Sequence, residues 1–224
     1  MKERYFTPQS ISEKSQEIFQ SFDQTRRRSR LERFNPQRSA LLVLDMQEYF
    51  LHPSSHACVP SASAIIPGLQ SLVNAYTARE LLIVFTRHLN TAHDAGSMAS
   101  WWRDLITEEN LLSVITPAID STNGVTLIKT QYDAFYNTAL EALLRDRQVT
   151  QVVISGVMTH LCCETTARSA FVRGFDAFFT IDGTATYTEA HHQATLLNLA
   201  HGFATPVLVT EILAACQRGN DENA

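Results

Sequence analysis

Short, unbroken apolar runs alternate along the chain with longer segments in which apolar residues recur every three to four positions. The runs are SALLVLD (39–45), LLIVFT (81–86), VTLIK (125–129), QVVISG (151–156), DAFFTID (176–182) and PVLVT (206–210). Their hydrophobicity is continuous, which requires cover on both faces and predicts parallel strands between helix layers. Helical spacing over Ala62 to Tyr76, Asn137 to Leu144, Cys162 to Val172 and Glu189 to Ala200 supplies the crossover helices. The predicted class is α/β: a doubly wound six-stranded parallel sheet with helices on both faces, a Rossmann-like three-layer sandwich.

The first 33 residues break this rhythm with a polar helical pattern from Ile11 to Phe22, followed by Arg26, Arg27, Arg28 and Arg30. They are expected to form a helical arm (1–33) outside the core of a domain over 34–224. The basic cluster reads as a solvated face or a subunit contact.

Composition narrows the partners. A chain of 224 residues, 45% hydrophobic, buries one substantial core and needs no second domain. A net charge of −5 argues against a broad basic surface, so the expected partner is a small-molecule substrate, with no nucleic acid and no membrane. The N-terminus lacks the apolar run of a signal peptide, and no stretch approaches the ~20 apolar residues of a membrane span. A cytoplasmic protein is expected, its four cysteines reduced thiols. An arm that its own domain does not bury would serve a homo-oligomer, a dimer or tetramer.

In doubly wound sheets ligands bind beyond the carboxyl ends of the strands, where strand order reverses. Asp45 ends the first run, where a carboxylate is costly to bury without a partner or a task. Lys129 ends the third. After the fourth, Gly156 to Cys163 forms a tight turn into a helix with Cys162 and Cys163 in its first turn. The helix dipole and a nearby lysine are expected to lower a thiol pKa there. An acid, a lysine and a cysteine thus meet at one sheet edge. The two cysteines differ by roughly 100° on a helix, so one faces the cleft and one packs, and spacing does not choose between them.

ALLVLDMQEYF (40–50), KTQYDAF (129–135) and SGVMTHLCCETTARSAF (155–171), in this order, resemble the isochorismatase-like cysteine hydrolases, which include nicotinamidases, N-carbamoylsarcosine amidases and isochorismatases. The resemblance runs from Phe34 to Leu213. It implies a catalytic set of Asp45, Lys129 and Cys162, since the pattern G-V-x-T-x-x-C puts the nucleophile at Cys162. It also implies a cis peptide between Val157 and Met158, aiming the N–H groups of Met158 and Cys162 at an oxyanion. Asp45 would take the thiol proton and pass it to the leaving amine, and water would hydrolyse the thioester.

Two departures bear on the substrate. Nicotinamidases carry an Asp-x-His and a further His for a metal, whereas the stretch after Phe50 reads LHPSSHACVPS. It offers His52 and His56 without that aspartate, so no metal and no cofactor are expected. His160 resembles the isochorismatase branch, but that branch replaces the nucleophile and this chain keeps Cys162, which favours a carbonyl substrate.

The substrate wall is expected from Phe50, Arg87, His88, Trp101, Trp102, Tyr132, Phe135 and His160, with Arg87 available for a substrate carboxylate. The expected activity is hydrolysis of a small amide or ureido compound. The alternatives are isochorismatase-type vinyl-ether hydrolysis with Asp45 as acid, and a catalytically idle binding or assembly subunit.

Overall fold

Every residue of SALLVL is buried, which is what an unbroken apolar run requires once helices cover both faces of its strand. This strand, β1 (Ser39–Leu44), is joined by β2 (Leu82–His88), β3 (Val125–Lys129), β4 (Gln151–Val157), β5 (Asp176–Ala185) and β6 (Ala204–Val207). All pair in parallel in the order β3-β2-β1-β4-β5-β6. The structure, a computed structural model, describes residues 2–218 and leaves the side chains of Thr25 and Arg26 undescribed. The expectations for Arg26 and for 219–224 therefore lie outside the described residues.

The helices are α1 (Ile11–Gln20), α2 (Gln24–Leu31), α3 (Glu48–Leu51), α4 (Ala62–Thr77), α5 (Met98–Trp101), α6 (Leu140–Asp146), α7 (Glu164–Val172), α8 (Glu189–Gly202) and α9 (Val209–Arg218). They cover both faces of the sheet, with α4 against α9 and α7 against α8. The chain builds outward from β1 through β2 to β3, then restarts at β4 on the other side. Order therefore reverses between β1 and β4, and a crevice opens beyond their carboxyl ends. No helix among the described residues is long and apolar enough to cross a membrane.

Three expectations shift. The run at 206–210 is a strand only to Val207, because Glu211 Oε2 accepts the Leu208 N–H and Asp182 Oδ1 accepts the Val209 N–H, starting α9. The helix expected from Cys162 begins at Glu164, after a π-helical turn over Thr159–Cys163. β3 lies at the sheet edge, so Ile128 is exposed while Lys129 at its end is buried.

The N-terminal segment is not outside the core. Phe6 is fully buried and Tyr5 nearly so, and the Tyr5 hydroxyl accepts the Thr186 N–H at 2.9 Å beyond β5. Arg27 is also buried, paired with Glu211 at 2.8 Å and stacked over Phe19, instead of forming a solvated face. The aromatic pair Tyr5-Phe6 sits before the helical pattern, where a search for helices passes over it.

Candidate active site

Three strand ends deliver three functional groups to one buried point. Asp45 follows β1 with φ +50°, a left-handed conformation that Asp tolerates better than most residues. Thr86 of β2 holds it on both sides: its Oγ1 accepts the Asp45 N–H at 3.0 Å and its hydroxyl donates to Oδ1 at 2.6 Å. Lys129 ends β3 and is paired in register with His88 of β2. Its Nζ lies 2.8 Å from Asp45 Oδ2, donates to Gln131 O at 2.9 Å and reaches Cys162 Sγ at 3.3 Å. The Asp45 contact is a fully buried ion pair.

Cys162 arrives on the π-helical turn after β4. The peptide between Val157 and Met158 is cis, as the resemblance implies. Gly156, before it, has φ +108°, and a Cβ there would meet the Leu44 carbonyl oxygen at 2.1 Å. Glycine is what lets β4 approach β1 at the point where order reverses. Cys163 is fully buried with its thiol toward the Ser155 carbonyl, so Cys163 packs and Cys162 faces the crevice.

The charges are coupled. Burial alone would push the Asp45 carboxyl up, but the Lys129 ammonium holds it below the usual carboxylate range. Burial likewise opposes the charge on Lys129, yet Asp45 and Cys162 raise its pKa to about 12. The Cys162 thiol is pushed up to about 12 by burial and then by the Asp45 carboxylate, which together outweigh Lys129. The expected lowering of this thiol is therefore reversed in the resting site. Cys162 rests as a thiol beside an ionised carboxylate and an ammonium.

Cys162 lies at the end of a cavity of about 160 Å³. Phe50, His88, Trp102 and Tyr132 line it as expected, and Trp102 Nε1 donates to the Tyr132 hydroxyl at 2.7 Å. Four expected wall residues do not. Arg87 turns to Ser113, donating to its O and Oγ, and faces Glu108 at 3.4 Å, so it offers no grip on a substrate carboxylate. Trp101 is 77% exposed on the far side of its short helix. Phe135 is buried against Phe175, and His160 bonds Thr186 and stacks on His191.

The lining also includes Tyr49, His56, Asn90, Met98 and Tyr187, which pattern reading did not single out as substrate wall. Asn90 and Tyr187 stand just beyond β2 and β5, so the strand-end rule applied to every strand finds them.

Asp45, His88 and Cys162 bring three donor atoms within 4.8 Å of one another. The Lys129 ammonium already contacts all three, at 2.8, 3.4 and 3.3 Å, so a side chain supplies the cation and the set does not fit a metal ion. His52 bonds Ser54, while His56, an exposed residue, faces Asp104 at 3.4 Å at the cavity wall.

The model of the isochorismatase domain family matches residues 39–211. Nicotinamidase 3 of Arabidopsis thaliana is 37% identical over 176 residues, 76% of this chain and 84% of that protein. Enterobactin synthase component B of Escherichia coli (strain K12) is 29% identical over 188 residues, 81% of this chain but 65% of that longer protein. Among solved structures, a cysteine hydrolase from Pseudomonas syringae pv. phaseolicola 1448A superposes with a TM-score of 0.79 at 25% identity, covering 83% of this chain and 95% of that one.

Proposed function

The chain belongs to the isochorismatase family of hydrolases, and from that premise we propose that it hydrolyses a small, flat amide through a thioester on Cys162. The observation that carries the reading is the buried contact set in which Lys129 Nζ touches both Asp45 and Cys162 Sγ at the end of an aromatic cavity. Moving the thiol proton to Asp45 exchanges a carboxylate for a thiolate beside the same ammonium. The buried set keeps its net charge, so the transfer avoids creating an unpaired ion.

Cys162 Sγ attacks the amide carbonyl carbon as Asp45 takes its proton, and the N–H groups of Met158 and Cys162 receive the oxyanion. Asp45 then protonates the nitrogen, the C–N bond breaks and the amine leaves. Water attacks the thioester, giving its proton to Asp45. The carboxylic acid departs and the thiol recovers its proton. The relation to a protein named a nicotinamidase supports an amide substrate, and the turning away of Arg87 supports an uncharged one.

Vinyl-ether hydrolysis would need a protonated Asp45 at rest, and Lys129 holds that carboxyl ionised. Incubating the enzyme with nicotinamide, benzamide and isochorismate, and measuring ammonia and pyruvate, separates the readings. Ammonia release, with an acyl adduct on Cys162 in acid-quenched protein, is expected from the wild type and from no Cys162→Ala preparation. Full activity in the alanine variant would sink the proposal.

A further inference from the structure

Lys129 has four contacts for three hydrogens. The Asp45 carboxylate at 2.8 Å and Gln131 O at 2.9 Å are the nearer pair, leaving a third N–H between Cys162 Sγ at 3.3 Å and His88 Nδ1 at 3.4 Å. The outcome depends on which nitrogen of His88 carries the proton.

Asn90 decides that. Its Nδ2 donates to Thr130 O at 2.9 Å and to Asp94 Oδ1 at 3.2 Å, both acceptors, so the side-chain oxygen must face His88. Oδ1 lies 2.8 Å from His88 Nε2, which must then carry the hydrogen. Nδ1 is left with its lone pair toward the ammonium. Gln47 Oε1 accepts the main-chain N–H of His88 at 2.8 Å, and β2 fixes the ring's origin opposite Lys129.

Four ionisable groups face or neighbour this ring: Lys129 from β3, Asp45 beyond β1, Asp94 from the following loop and Cys162 from the turn after β4. Burial and the Lys129 charge lower the His88 pKa to about 4, so the ring is neutral at neutral pH.

We propose that His88, locked by Asn90 in the Nε2–H tautomer, is the resting acceptor of the third Lys129 hydrogen and a positioning residue that favours the protonated form of Cys162. A thiol sulfur is a weak acceptor and loses this hydrogen to the imidazole, while a thiolate draws it back. The two acceptors differ by 0.1 Å in distance from the same nitrogen, so the hydrogen changes partner without the ammonium moving. This inference rests on the cysteine chemistry proposed above.

The test is the rate of Cys162 alkylation by iodoacetamide, followed by mass spectrometry from pH 6 to 11 in the full chain and needing no turnover. His88→Met keeps bulk without a nitrogen or oxygen acceptor, and His88→Gln keeps bulk with one. At a pH below the thiol midpoint, alkylation is expected about tenfold faster in the methionine variant, the effect of one charged hydrogen bond on the thiolate fraction, and near the wild-type rate in the glutamine variant. Unlabelled Cys163 and Cys216 confirm an intact core. An unchanged rate in His88→Met, or an equal gain in both variants, overturns the proposal. The reading of the enzyme as an amidase fails separately, through turnover by Cys162→Ala.

Discussion

Lys129 Nζ stands 2.8 Å from Asp45 Oδ2, and neither side chain is exposed. Such a pair costs much to bury and more to break. Lys129→Met should lower the unfolding free energy by about 3–5 kcal/mol, because it leaves a carboxylate buried without its cation. Adding Asp45→Asn should return part of the loss. Urea denaturation followed by tryptophan fluorescence checks both, and a single variant as stable as the wild type would contradict the pairing.

Acid should loosen the fold well before the Asp45 carboxylate protonates, with Asp182, whose carboxyl is raised by burial to about 6, opposing part of the effect. Burial lowers the His192 pKa to about 3, and burial with Lys129 lowers that of His88 to about 4. Both lie below the ordinary 6.5, so between those values the unfolded chain binds more protons than the folded one, and stability rises with pH. It is therefore lost as pH falls below about 6.5, and Asp45 adds its share as pH falls from the ordinary 3.8 toward its own lowered pKa. Lys129 acts at the other end, its contribution fading as pH rises through about 12. Urea midpoints from pH 4 to 7 should climb, less steeply in His192→Gln; an unchanged slope in that variant would remove His192 from the account.

Gly156 is the hinge between stability and chemistry. Its partner in register is Leu44, the residue before Asp45, and its turn carries Cys162. Gly156→Ala meets the Leu44 carbonyl in a backbone conformation that alanine avoids, so a loss on the order of 3 kcal/mol is expected. Because β1 and β4 are pushed apart between Asp45 and Cys162, Cys162 alkylation should also change. Unaltered labelling in a destabilised variant would separate the two effects.

The N-terminal segment lies before the matched family domain, yet Phe6 is as buried as the central strands. Phe6→Ala should cost about 3–5 kcal/mol, as truncating a core aromatic does. A value near zero in urea denaturation would mean that the segment docks without contributing to the core.

Strand positions and the convergence of Asp45, Lys129 and Cys162 were legible because continuous apolar runs and the residues ending them are local features. What was not legible depended on where a side chain turns after its backbone is placed. Arg87 and His88 are neighbours on β2, and only His88 enters the site, because Ser113 and Glu108 draw Arg87 away. Cys162 faces the cavity, but its thiol is raised where the sequence predicts a lowering, because burial and the Asp45 carboxylate outweigh the lysine. Tyr5 and Phe6 escaped because two aromatics in a polar segment carry no period.

Trp101 and Trp102 look equivalent in the sequence and are opposites in the fold. Trp101 is 77% exposed, whereas Trp102 lines the cavity and bonds the Tyr132 hydroxyl through its indole N–H. Trp101→Ala should stay within about 0.5 kcal/mol of the wild type in stability and leave amide hydrolysis unchanged. Trp102→Phe keeps an aromatic wall but frees the Tyr132 hydroxyl to rotate, so KM should rise more than kcat falls. Trp102→Ala removes the wall itself and should raise KM further. Steady-state kinetics on whichever carboxamide releases ammonia reads this directly, and equal effects of the alanine substitutions at the two positions would show that the cavity does not hold the substrate.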